Sequence, residues 1–237
     1  MNSRLSIALA FLPLLLLGSA GTCATPGDYV PDLRFTEESF DIGCVGVDFK
    51  VFHTFKMVNY GSDTIHIKTV TGHCDCTEVR FRDSTVAPGD TSCFLMIFNT
   101  ANMYGPVDKD IRVHSTDKII PYQEVRYTAN VGQWLFKIEP KPVSVFFLPN
   151  QRSRTATIVN HALDNISVQD IYLDSNIVDI KTIKSEAAKG ESLEFELVPK
   201  DNLKTGTHLT SYTITVDLHQ KAAPPFKITI PVKVVKF

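Results

Sequence analysis

The chain has 237 residues, 43% of them hydrophobic and 21% charged, with a formal net charge of −2. That composition fits a globular protein with a substantial core and excludes a disordered or fibrous chain. With no basic run above a solvated background, nucleic acid is not an expected partner.

Arg4, the apolar run "LSIALAFLPLLLL" and the small residues "GSAGTCA" describe a secretory signal peptide over residues 1–24. Cleavage after Ala20 or after Ala24 suits the small residues there. Pro13 and the short run argue against a membrane span, and the mature chain has no other apolar stretch of that length. Lipid attachment at Cys23 is the alternative. It is disfavoured, because Ala20, Gly21 and Thr22 match a lipobox poorly. The expected location is therefore the periplasm or the cell surface, where disulfides persist.

From residue 30 onward the chain reads as strands, twice over. "MVNYGSDTIHI" (57–67) lies over "IVNHALDNISV" (158–168), and "APGDTSCFLMIF" (87–98) over "AKGESLEFELVP" (188–199), both at a shift of 101 positions. The same shift carries Gly105 onto Gly206 and Tyr127, Ala129 and Val131 onto Ile228, Ile230 and Val232. Phe94, Met96 and Phe98 alternate, as do Leu193, Phe195 and Leu197, then Tyr212, Ile214, Val216 and Leu218. A period of two marks half-buried strands, and Pro88-Gly89-Asp90 and Lys189-Gly190-Glu191 supply the turns. The reading is all-β: two tandem immunoglobulin-like β-sandwiches, at 30–132 and 134–237, following the signal peptide. Trp134 stands at the join, and almost no linker separates the units, so a semi-rigid rod is expected.

The stretches "FDIGCVGVDFKVFHTFKMVNYGSDTIHIKTVTGHCDCTEVRF", "APGDTSCFLMIFNT", "YGPVDKDIRVHS" and "YQEVRYTANV" resemble a bacterial family known only as domain of unknown function 1573. The likeness rests on an opening F-D-x-G, a V-x-N-x-G strand end, a cysteine pair followed by Thr, P-G before a strand, and F-x-T. It covers about 100 residues of the first unit and reaches the second only through the repeat. It implies an immunoglobulin-like fold near the Hydin-type and major-sperm-protein-like sandwiches, and no enzymatic activity. Cys44 departs from it, since the family more often has another residue there.

"GHCDCTEVRF" (72–81) places Cys74 and Cys76 one residue apart beside His73. Under the repeat, Cys44, Cys74, Cys76 and Cys93 fall on Val145, Ser175, Ile177 and Glu194, so the second unit folds without cysteine. These counterparts suggest that Cys44 and Cys76 point inward and Cys74 and Cys93 outward. The ends of the first and third strands share a pole in a sandwich meander, which favours a disulfide from Cys44 to Cys74 or Cys76. A bridge of the pair to itself is discounted as a small strained ring. Buried thiols acting as small hydrophobes are the bland alternative.

A metal-handling site for copper or zinc at His73, Cys74 and Cys76 is the rival functional reading. The spacing lacks the CxxC knuckles of zinc sites, and His53 and His66 read more simply as polar strand residues. No GxSxG, HExxH or phosphate-cradling glycine loop is present, so no catalytic residue and no cofactor are assigned. Asn165-Ile166-Ser167 would accept a glycan only in a eukaryotic secretory path.

One face stands out. Cys93, Leu95 and Ile97 lie opposite the expected core side of their strand, where the second unit has Glu194, Glu196 and Val198. An apolar outer stripe suggests an interface, unless a loop or the second unit covers it. The expectation is an exported, non-enzymatic binding or scaffold protein whose partner is another protein or an envelope component.

Overall fold

The computed structural model describes residues 32–133, 138–162, 164–173, 176–219 and 225–237. The signal peptide, Cys23, Trp134 and Ser175 lie outside the described residues. Within them the chain is all-β, with no helix and hence none long and apolar enough to cross a membrane.

The first half carries β1 (Leu33–Phe35), β2 (Ser39–Val45), β3 (Lys50–Asn59), β4 (Ile65–Gly72), β5 (Thr77–Phe81), β6 (Thr85–Val86), β7 (Thr91–Asn99), β8 (Gly105–Ser115) and β9 (Tyr122–Val131). The second carries β10 (Ile138–Lys141), β11 (Val145–Phe147), β12 (Arg154–Asn160), β13 (Ile166–Leu173), β14 (Val178–Lys184), β15 (Glu186–Ala187), β16 (Ser192–Pro199), β17 (Gly206–Asp217) and β18 (Phe226–Lys236). In β3 the alternation buries Val51, His53, Phe55, Met57 and Asn59 and turns Lys50 and Lys56 to water. β16 buries Leu193, Phe195 and Leu197 in the same way.

The sheet β1-β3-β7-β5 packs against the layer of β2, β9, β8, β4 and β6, and the first core lies between them. The sheet β10-β12-β16-β14 and the layer of β11, β18, β17, β13 and β15 enclose the second. Each core is closed by interdigitating side chains from two faces, which is sandwich packing.

The repeat is visible bond by bond. The Asn59 amide donates to the carbonyls of Asp63 and Val86 at 2.8 and 2.9 Å, and its oxygen accepts from Gly61 N at 2.9 Å. Asn160 makes the corresponding bonds to Asp164 and Ala187 at 3.0 and 2.9 Å and accepts from Ala162 N at 2.8 Å. The shift holds from β3 to β8 but fails at the first, second and last strands of each half. Leu33 faces Asn59 and Ile138 faces Asn160, a spacing of 105 positions rather than 101. Phe40 and Lys109 flank Tyr127 where Val145 and Thr210 flank Val232, so Tyr127 corresponds to Val232 and not, as the sequence alignment has it, to Ile228.

Instead of meeting end to end as a rod, the halves share a sheet. β2 pairs in parallel with β9 on one side and, at Cys44 and Ile228, with β18 on the other, joining the two larger layers into one ten-stranded sheet. Thr229 Oγ1 donates to the Ile42 carbonyl at 2.6 Å. Phe52 N donates to Ser211 Oγ at 3.0 Å, and that hydroxyl donates back to the Phe52 carbonyl at 3.3 Å. Gly43 has φ +69°, and a Cβ there would run into the Lys227 backbone. Only glycine allows so close an approach in a left-handed conformation.

Candidate functional site

Between β4 and β5 the chain crosses from the shared sheet to the four-stranded one, and "HCDC" makes the crossing. His73 N donates to the Asp110 carbonyl at 3.2 Å, Thr77 N to the Cys74 carbonyl at 3.0 Å, and Asn99 N to the Cys76 carbonyl at 2.8 Å. The Thr77-to-Cys74 bond closes a turn, with Asp75 and Cys76 at its centre. It brings the Cys74 and Cys76 Cα atoms to 5.2 Å, inside the range for a bridge, and their sulfurs are joined in a disulfide. In an extended strand the same atoms would stand about 6.6 Å apart. The expectation that this pair would not bridge itself, because the ring is small, is thereby corrected: the turn brings the two Cα atoms within reach of a bridge.

The expected bridge from Cys44 is corrected too. Cys44 is a buried thiol in β2, opposite Asn130 of β9 and Ile228 of β18. From β2 to β4 the sheet order runs through β9 and β8. Three inter-strand steps amount to about 14 Å, twice the reach of a disulfide.

Both bridged cysteines are half-buried. Thr77 Oγ1 lies 3.6 Å from Cys74 Sγ and 3.7 Å from Cys76 Sγ, and 2.5 Å from the Tyr127 hydroxyl. Burial raises the Tyr127 pKa above its ordinary value, opposed by the Thr77 hydrogen bond. Gly72 gives this crossing its room, since a Cβ there would press on Thr77. His73 turns its Nδ1 to Asp110 Oδ1 at 3.3 Å, and the other Asp110 oxygen meets Arg112 Nε at 3.2 Å. With both sulfurs bonded to each other, two of the three candidate metal donors are not thiolates. Among the described residues no group of three or more His, Cys, Asp or Glu could hold a metal ion.

The stripe on β7 does not form as a continuous exposed face. Cys93 is exposed and Leu95 half-buried, but Ile97 is only 2% exposed. Ile97 stands between Phe52 of β3 and Glu78 of β5, so it is covered and offers no surface to a partner. Sequence reasoning missed a feature that needs both halves: a cleft of about 270 Å³ lined by Phe49, Phe52, Phe146, Leu209 and Pro231, among others. Lys50 and Lys233 also line it, the latter with its ammonium 5.3 Å from the centre of the Phe146 ring.

Residues 33–131 match the model of the family described as "Protein of unknown function (DUF1573)". That match falls within the first half of the chain, and the likeness is to this family. None of the curated proteins compared with this sequence matches it. Among solved structures, a protein of unknown function from Porphyromonas gingivalis W83 is 10% identical, with 85% of this chain and 99% of that one covered at a TM-score of 0.37. The periplasmic chaperone SfaE is 10% identical, with 86% of this chain and 100% of that one covered at a TM-score of 0.34. The secreted serine protease VesC from Vibrio cholerae is 8% identical, with 71% and 46% covered at a TM-score of 0.35. Likenesses this distant carry no argument about activity or partner.

Proposed function

We propose that the chain is an exported, non-enzymatic binding or scaffold module that engages another protein or envelope component through the cleft between its two sandwiches. The observation that carries this reading is the cleft itself: apolar side chains from both halves meet across a junction held by hydrogen bonds. Export is supported by the signal-like residues 1–24, with cleavage after Ala20 or Ala24, and by the Cys74–Cys76 bridge, since bridges persist in oxidising compartments. The sandwiches are taken as residues 30–132 and 134–237.

The test is site-specific photo-crosslinking in the envelope. A benzophenone amino acid placed at Phe52 or Leu209 is expected to form a discrete adduct, and one at the exposed Lys181 of β14 is not. No adduct from the cleft positions, or the same adducts from all three, would remove the cleft as the binding surface. The mass of the mature chain checks export separately: an unlipidated start at Gly21 or Thr25 is expected, and a diacylated Cys23 would overturn it.

A further inference from the structure

The Cys74–Cys76 bridge is poorly suited to be a staple. It closes a loop of three residues, and restricting so short a loop removes little freedom from the unfolded chain. The second half folds into the same strand order with no cysteine.

Its surroundings suit exchange chemistry instead. The two sulfurs are half-buried at a crossing between sheets, within reach of an incoming group. The three backbone bonds that hold the turn involve neither sulfur, so the turn persists when the S–S bond opens and keeps the two thiols adjacent. The Thr77 hydroxyl sits near both sulfurs, and the Tyr127 hydroxyl is placed to donate to the Thr77 oxygen. A hydroxyl donor at a sulfur stabilises thiolate, and a stabilised leaving thiolate speeds exchange.

We propose that Cys74–Cys76 is an exchange-active disulfide whose substrate is a dithiol. One thiolate of the dithiol attacks Sγ of either cysteine. The S–S bond breaks, a mixed disulfide forms, and the other cysteine leaves as a thiolate that takes a proton. The second thiol of the substrate then loses its proton and attacks the mixed disulfide. The first cysteine is released and protonated, so the substrate is oxidised by two electrons and both cysteines end as thiols. The reverse sequence reduces a substrate disulfide. This site is separate from the cleft and does not depend on the binding reading.

The test equilibrates the folded, full mature chain with graded ratios of reduced to oxidised dithiothreitol. Thiols are trapped with iodoacetamide, and the peptide carrying both cysteines is weighed. Cys93, an exposed thiol, serves as the control for alkylation. The expected result is loss of the bridge at a single midpoint, with Cys74 and Cys76 labelled together while circular dichroism and melting stay unchanged. Thr77→Val is expected to slow reduction by dithiothreitol about tenfold, the worth of one hydrogen bond to the leaving thiolate, and Thr77→Ser to restore the rate. A bridge that resists dithiothreitol until the protein unfolds, or whose reduction melts the first unit, would overturn the proposal. So would a wild-type rate in folded Thr77→Val.

Discussion

Tyr127 and Tyr212 are both completely buried, but among the described residues only Tyr127 has a hydrogen-bond partner for its hydroxyl. They do not occupy equivalent positions: by strand pairing Tyr127 corresponds to Val232, and Tyr212 to Ile111. An intramolecular hydrogen bond contributes about 1 kcal/mol, whereas a buried polar group left without one costs about 1–3 kcal/mol. Tyr127→Phe is therefore expected to lower stability by about 1 kcal/mol, and Tyr212→Phe to leave it unchanged or raise it. Urea unfolding of the two variants checks both signs, and a loss at Tyr212 equal to that at Tyr127 would contradict the assignment. Burial also raises the pKa of both phenols, so each favours the neutral form in the fold. His53 shows what the sequence offered and what was misread. It alternates with Val51, Phe55 and Met57, a pattern that places it on the core side. Read as a polar strand residue, it is in fact wholly buried, stacked on Phe40 at 3.6 Å and bonded to Glu37 at 2.7 Å.

At the scale of elements, the legible part of the fold is what local chemistry dictates. Alternation fixed which faces of β3, β7 and β16 turn inward, and the turn residues marked their ends. The constant shift rested on Asn59 and Asn160, whose side chains tie each strand end to the turn that follows it and to the end of a two-residue strand. Each amide makes three hydrogen bonds, two of them buried or half-buried donors to carbonyls, so Asn59→Ala and Asn160→Ala are each expected to cost about 2–3 kcal/mol. Matched losses in chemical denaturation would confirm that the two sites are the same device; a silent Asn160→Ala would break the equivalence. The bridge was not legible for a different reason. A pole shared by two strand ends says nothing about lateral order, and only the pairing β2-β9-β8-β4 puts Cys44 three strands away. Nor does CxC spacing reveal a turn, because that turn is held by Asp110 and Asn99, distant in sequence.

Across the whole molecule, the junction is the feature that no repeat could disclose, since it depends on where the halves differ. An isolated sandwich leaves strand edges that must be protected from pairing with other chains. Here one edge of β18 is covered by β11 of its own half at Val232 and Val234 and by β2 of the first half at Ile228, so at the β2–β18 contact each half protects the other's edge. Tyr172 of the second half also rests 5.3 Å from Phe40 and 4.9 Å from His53 of the first. Units joined by sheet pairing, hydrogen bonds and buried rings should unfold together. Calorimetry of the wild-type protein is expected to give one transition, with calorimetric and van't Hoff enthalpies in agreement. Gly43→Ala tests the cause: its Cβ meets the Lys227 backbone, and neither rigid chain nor left-handed φ can yield cheaply. The expected outcome is a loss of about 2 kcal/mol or more and a split into two transitions, as β2 parts from β18 while each core stays closed. Thr229→Val, which removes the bond to the Ile42 carbonyl together with the one to the Thr213 hydroxyl, should cost about 1–2 kcal/mol and keep the single transition. Two transitions in the wild-type protein would mean that the halves fold as independent bodies, and a cleft spanning them could not then present a fixed surface to a partner.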